Sequence, residues 1–190
     1  SEEEYLKAKK WLAETGFYVY DHEGHNAMQN LLQRMEFMAT SLGVKVIILD
    51  HITAAATAMM ASEDNNSERL LIDTLMKGIR SLCVRTGVHV DVVSQLKKTD
   101  KPYEEGSRIT LQDLRGSGSL SSVPNTVIGL ERNRQASNHD EANTTIVRIL
   151  KNRLTGRAGV ATGLFYSHDT NRLEEVDPTF VGGVPEFASV

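Results

Sequence analysis

A chain of 190 residues and 21.0 kDa, with 40% hydrophobic and 24% charged residues, suits one sizeable core, which excludes disordered, collagen-like and coiled-coil readings. Its one cysteine, Cys83, excludes an internal disulfide framework and a cysteine-based zinc site, and suits a reducing compartment. The net charge of −4 divides into −3 over residues 1–90, +3 over 91–157 and −4 over 158–190, so a basic middle can form a local anion site without a global basic field.

Residues 3–14 suit a short helix with Tyr5, Leu6, Ala8 and Leu12 on one side, after a start, Ser1-Glu2-Glu3-Glu4, unlike a signal peptide. Phe17–Asp21 reads as a short strand. From about His25 to Leu42, Met28, Leu31, Leu32, Met35, Met38 and Leu42 follow helical spacing, and Gly43 ends the helix. Val44–Asp50 is a near-continuous apolar run, the pattern of a strand buried on both faces, and far below the ~20 residues of a membrane span. A small-residue loop rich in Ala and Met follows. Glu68–Thr86 then repeats the helical pattern, with Gly87 at the C-cap position. Val88–Leu96, Thr126–Leu130, Thr144–Leu150, Leu164–Ser167 and Arg172–Val176 are β-type. The alternation in the first half implies a parallel sheet with crossover helices, and the denser strands later imply an antiparallel extension. Residues 1–177 are read as one unit and 178–190 as a loose tail.

Ligands of parallel α/β sheets bind outside the carboxyl ends of the strands, so polar residues there are the first candidates. Asp50 ends an apolar strand, where it suits either magnesium bound through water or a turn cap. Ser94-Gln95 ends the next strand with a hydroxyl and an amide able to contact phosphate oxygens, or simply to satisfy each other. The loop that follows carries Lys97, Lys98 and Lys101, a phosphate-contacting set or a solvated surface. Arg115-Gly116-Ser117-Gly118 lets backbone approach a ligand closely, or makes a flexible turn. Lys151 and Arg153 fall on the same side of a strand end by period-2 alternation, which suits a polyphosphate clamp or a salt-bridged edge. The six histidines show no convincing metal spacing and are read as surface or core residues, and Cys83 as core.

In this order, the Val46–Asp50 strand, Ser94-Gln95, the lysine loop, Asp113–Gly118 and Lys151-Asn152-Arg153 closely resemble the RecA-like motor of DnaB-type hexameric replicative helicases. Leu130-Glu131-Arg132-Asn133 and the spacing through Thr155-Gly156 look most like the phage bifunctional primase–helicases, the branch that includes mitochondrial Twinkle. The resemblance covers roughly residues 17 to 170. It implies that Asp50 is the Walker B aspartate positioning Mg2+, and that Gln95 is the γ-phosphate sensor. It implies that Lys97 and Lys101 belong to the central DNA-binding loop, and that Arg115, Gly116 and Gly118 form a second element contacting the DNA backbone. Arg153 would be an arginine finger reaching the neighbouring subunit's ATP, with Lys151 as companion. Arg132 and Tyr166 would sandwich the nucleotide base. Two positions depart from the pattern: Tyr103 lies near a basic position, and Ser121-Ser122 replaces longer polar side chains.

The fold so implied is α/β, a RecA-like core with a central mostly parallel sheet, an antiparallel C-terminal extension and the Walker A part missing. The family's phosphate loop and catalytic glutamate lie upstream of the Walker B strand, whereas 49 residues precede Asp50 here and no Gly-Lys dipeptide occurs. The expectation is therefore the C-terminal portion of an ATP-dependent replicative DNA helicase, inactive by itself. The resemblance implies ATP or another NTP and Mg2+ as cofactors and single-stranded DNA as partner. It also implies a ring hexamer, primase and polymerase as further partners, no membrane, and the cytoplasm of a bacterial or phage-infected cell ahead of the mitochondrial matrix. The alternative is a non-catalytic DNA-binding or interaction module on a degraded RecA-like fold.

Overall fold

The computed structural model describes residues 1–20, 28–60, 67–98, 100–116 and 118–177; the tail at 178–190, His22, His25, Thr99 and Ser117 lie outside them. Helix α1 is Glu2–Glu14, closed by a capping box in which Ser1 Oγ accepts from Glu4 N and the Glu4 carboxylate accepts from Ser1 N. Its apolar side, with Tyr5, Leu6 and Leu12, is exposed, and no residue of α1 is buried. The strand expected at Phe17–Asp21 does not form over its described part, residues 17–20. β-branched and aromatic residues favour a strand only when an edge accepts them, and no described segment pairs there.

Helix α2, Met28–Thr40, ends where Leu42 N donates to Phe37 O and Val44 N to Met38 O, with Gly43 at φ 71°. Strand β1, Val46–Leu49, runs parallel to β2, His89–Val92, in the register Val46↔His89 to Leu49↔Val92. Between them lie α3, Ile52–Met60, and α4, Glu68–Thr86. The expected Ala/Met loop is thus a helix: Ala and Met are strong helix formers, and Ile52, Ala55, Ala56 and Met59 bury one side of it. Helix α4 has the expected bounds, with Ser67 Oγ accepting from Leu70 N at the start and Gly87 in the left-handed region at the end.

Together α2, α3 and α4 enclose the core, where Ile52, Met59, Leu71, Ile72, Leu75 and Leu82 are fully buried. Each such side chain contributes about 1.5–3 kcal/mol by leaving water. Helices cover one face of β1 only. Ile47 and Leu49 pack on the core while Val46 and Ile48 are exposed, so the strand is not buried on both faces. Strand β2 is also shorter than expected, because after Val92 the chain turns out of the sheet.

The second half forms β3, Thr126–Glu131, β4, Thr144–Asn152, β5, Gly159–Ser167, and β6, Arg172–Val176, an antiparallel sheet in chain order. Short α5, Ser119–Ser122, precedes β3, and α6, His139–Asn143, precedes β4. Glu131 of β3 and Arg148 of β4 make a buried two-point ion pair at 2.8 and 2.8 Å, and Glu131 Oε1 also accepts from Ile109 N at 2.8 Å. Among the described residues no ladder joins β2 to β3. A groove of about 600 Å³ separates them, lined by Val90, Val92, Leu120, Val123, Val127 and others. The parallel and antiparallel parts are both present, as two sheets.

Candidate nucleotide and nucleic-acid site

Asp50 and Gln95 leave the sheet at the same edge. Val93 N donates to Leu49 O at 2.9 Å and Ile52 N to Val93 O at 3.0 Å, which holds the two strand exits side by side. Both side chains are exposed at the carboxyl ends of β1 and β2. Ser94 Oγ instead turns to Gln95 O at 3.3 Å. His51, between Asp50 and α3, lies with its Nε2 3.2 Å from Gln95 Nε2. Sequence reasoning gave this histidine no role, although it follows Asp50 directly. A lone carboxylate fits Mg2+, which typically takes one or two protein carboxylates and fills its octahedron with water and substrate phosphates. Among the described residues no group of three or more His, Cys, Asp and Glu side chains could cage a metal by itself.

Past Gln95 the chain is bonded to the Arg115 element rather than hanging free. Leu96 bridges Leu114, Lys97 N donates to Asp113 O at 2.8 Å, and Arg115 N donates to Gln95 O at 3.0 Å. The lysines expected to face phosphate are partly engaged within the protein. Lys97 Nζ donates to Gln112 O at 2.7 Å, and Lys101 Nζ to both Asp113 oxygens at 2.8 Å. Asp113 is buried, and Thr110 supplies its N and Oγ1 as further donors, each at 2.8 Å. The Lys101 ammonium, and then Thr110, hold the Asp113 carboxyl well below the usual carboxylate range; the same contact raises Lys101. Lys98 is exposed on a cavity of about 720 Å³ that Lys97, Lys101 and Tyr103 also line, with Glu104 and Glu105 opposing their charge.

Arg115 reaches Gln95 Oε1 with Nη1 at 3.3 Å and Glu68 with Nη2 at 3.4 Å. The two glycines after it differ. Gly116 sits at φ 107°, and a Cβ there would lie 2.6 Å from Ile72 Cδ1, whereas Gly118 has φ −60° and open space around it.

Lys151 and Arg153 converge as the alternation predicts. Lys151 Nζ donates to Ser121 O at 2.6 Å and Ser122 O at 3.1 Å, and Arg153 Nη2 donates to the same Ser122 O at 2.6 Å. Burial, then the neighbouring Arg153 charge, push the Lys151 ammonium below its ordinary value. The Ser121-Ser122 backbone, rather than its side chains, is what these cations hold. Arg132 and Tyr166 are linked through two residues the sequence did not flag. Arg132 Nη2 donates to Asn143 Oδ1 at 2.9 Å, His168 Nε2 lies 3.1 Å from that oxygen, and Tyr166 meets the His168 ring edge-on with centroids 5.0 Å apart. Arg132 Nε also donates to Ala142 O, and Tyr166 Oη to Asn171 Oδ1. His168 lies two residues after Tyr166, a spacing that was the available signal.

A parallel pair leading to Asp50 and Gln95, backed by helices and accompanied by a separate antiparallel sheet, is a RecA-like α/β fold. The chain belongs to the DnaB-like helicase C terminal domain family, whose family model matches residues 2–175. It is 37% identical over 172 residues to a DNA helicase/primase of Enterobacteria phage T3, covering 90% of this chain and 29% of that protein. In structure it resembles a solved ATPase domain at TM-score 0.70 and 19% identity, covering 90% of this chain and 59% of that one. It also resembles a DnaB-like replicative helicase, solved in a study of its interactions with primase, at TM-score 0.68 and 18% identity, covering 88% and 39%. The chain thus spans under a third of the length of the phage relative. No described helix is long and apolar enough to cross a membrane.

Proposed function

We propose that this chain is part of an ATP-dependent replicative DNA helicase that translocates on single-stranded DNA, with nucleotide hydrolysed at subunit interfaces of a ring hexamer. The observation that carries the reading is the direct attachment of Gln95 to the Arg115 element through Arg115 N→Gln95 O and Arg115 Nη1→Gln95 Oε1. On this reading a residue that senses nucleotide near a strand end is joined to residues that would meet phosphates of DNA. Lys97 continues the same strand end, so a small shift at Gln95 moves the lysine loop with it. Binding of this kind tracks the backbone rather than bases and weakens with salt.

Asp50 would hold Mg2+ through water, and that ion would supply charge neutralisation at the β- and γ-phosphates. Arg153, with Lys151 beside it, would act on the neighbouring subunit's nucleotide, the arrangement a head-to-tail ring allows. Arg132 and Tyr166 would flank the nucleotide base, with Asn143 and His168 holding them. Primase and polymerase are the partners, and the cytoplasm of a bacterial or phage-infected cell the location, that fit such a motor.

The test is strand displacement and DNA-stimulated ATP hydrolysis by the full-length protein containing this chain. Both are expected to fall to background in Asp50→Ala and Arg153→Ala, and retained ATP-driven unwinding in either would refute the assignment. The 190-residue chain alone, which has no Gly-Lys dipeptide, is expected to release no phosphate above background.

A further inference from the structure

His51 and Gln95 meet donor to donor. His51 Nδ1 accepts the Ala54 N–H at 3.0 Å, a donor it shares with its own carbonyl, His51 O, at 3.1 Å, as the side-chain cap of the first turn of α3. A ring nitrogen that accepts carries no proton, so the neutral imidazole holds its proton on Nε2. That Nε2 lies 3.2 Å from Gln95 Nε2, itself a donor. The one acceptor in the group, Gln95 Oε1, is turned to Arg115 Nη1 at 3.3 Å.

A half-turn of the carboxamide exchanges its oxygen and nitrogen at almost unchanged shape. It satisfies His51 and aims an NH2 group at the guanidinium. Three donors therefore face one acceptor, and neither setting of Gln95 satisfies both neighbours. A hydrogen bond from a charged donor is the stronger of the two, which favours Arg115 Nη1, the guanidinium being held by Glu68 through Nη2 at 3.4 Å, while no anion engages Nη1.

We propose that His51 and Arg115 are positioning residues that compete for the carboxamide oxygen of Gln95, and that an oxyanion of the phosphate class, by accepting from Arg115, hands that oxygen to His51. The hydrogen-bond count stands apart from the helicase reading; the use of this exchange to relay DNA contact at Arg115 to a nucleotide sensor rests on it. The exchange breaks one hydrogen bond and forms another, with no proton transferred.

Nitrogen-15 NMR of the 190-residue chain, at a pH where its imidazoles are neutral, reads the exchange directly. His51 is expected as the Nε2–H tautomer in the wild-type chain. In Arg115→Met, or on titration with inorganic phosphate or a single-stranded oligothymidylate, the Nε2 proton is expected to move downfield. Its exchange with water should slow about tenfold, the factor of one net hydrogen bond. In Gln95→Glu, two acceptor oxygens serve both neighbours, so the same slowing is expected without any anion. A proton on Nδ1 in the wild-type chain overturns the proposal whatever the variants do. So does a Nε2 proton that responds to neither substitution. A helicase assay that fails while the tautomer and its response hold would refute the functional reading and leave this exchange intact.

Discussion

Replacing Gly116 with alanine separates two roles of the Arg115-Gly116-Ser117-Gly118 segment. The added Cβ would stand 2.6 Å from Ile72 Cδ1, and Leu120 Cδ1 lies on the same side at 4.0 Å. Ile72 is fully buried in the helical core, so its terminal methyl has little room to swing away. Overpacking of this kind costs about 1–3 kcal/mol. The backbone adds to it, because φ of 107° is a conformation L side chains rarely adopt, at about 1–2 kcal/mol. The sum is about 2–5 kcal/mol, a large fraction of a small domain's stability. Gly118→Ala meets nothing within 4 Å at φ −60°, so it should be neutral or stabilise by up to about 1 kcal/mol through the unfolded chain. Urea unfolding of the two variants measures the contrast. Equal midpoints would refute the account, since the case for Gly116 rests on the neighbours and dihedral that Gly118 lacks. With stability known, DNA affinity of Gly118→Ala reports on backbone approach alone.

The Glu131–Arg148 pair gives a second prediction: Arg148→Met leaves a buried carboxylate with Ile109 N as its remaining donor among the described residues. It should cost about 3–5 kcal/mol in chemical denaturation, and Glu131→Gln added to it should recover part of the loss. Asp113 gives a third, in pH. Its folded value is depressed, so its contribution is fully present above the unfolded carboxylate value of about 3.9 and is lost as pH falls toward the folded one. The stability difference between wild type and Asp113→Asn should be flat from about pH 6 to 8 and shrink below about pH 4; a difference that grows on acidification contradicts the contact. Fourth, Gly87→Ala should destabilise by about 1–2 kcal/mol in a thermal melt, from the left-handed φ of 72° alone, because no neighbour lies within 4 Å.

Helix α4 was legible to the residue because its cap, apolar period and terminal glycine agree over 19 residues. Helix α3 was not: at 9 residues it is small and apolar nearly all round, so no stripe sets a period. The segment at residues 17–20 carries strand-forming residues, and only a partner edge could have decided its state. Asp50 and Gln95 were readable because an apolar run followed by a polar residue marks a strand exit, even though the run proved half-exposed. The engagement of Lys97 and Lys101 was not, since a lysine bonded to Gln112 O or Asp113 and a solvated one look alike in sequence. The same holds for His51 and His168, whose partners lie 44 and 25 residues away.

The groove between β2 and β3 also makes the sheet margins unequal. In the β1–β2 ladder His89 N and Val93 N donate to β1-side carbonyls, so by alternation the N–H and C=O of Val90 and Val92 point the other way, toward the groove. Across it, β3 turns its own outer edge inward, having β4 on its far side. The opposite margin, β6, is guarded by exposed Arg172, Glu174 and Glu175, the charged residues that discourage edge-to-edge pairing. The seam is more apolar, lined by Val90, Val92 and Val127 beside His89 and Asp91 of β2. Self-association of the isolated chain is therefore expected at this seam, or at the free edge of β1 where Val46 and Ile48 are exposed, before it is expected at β6.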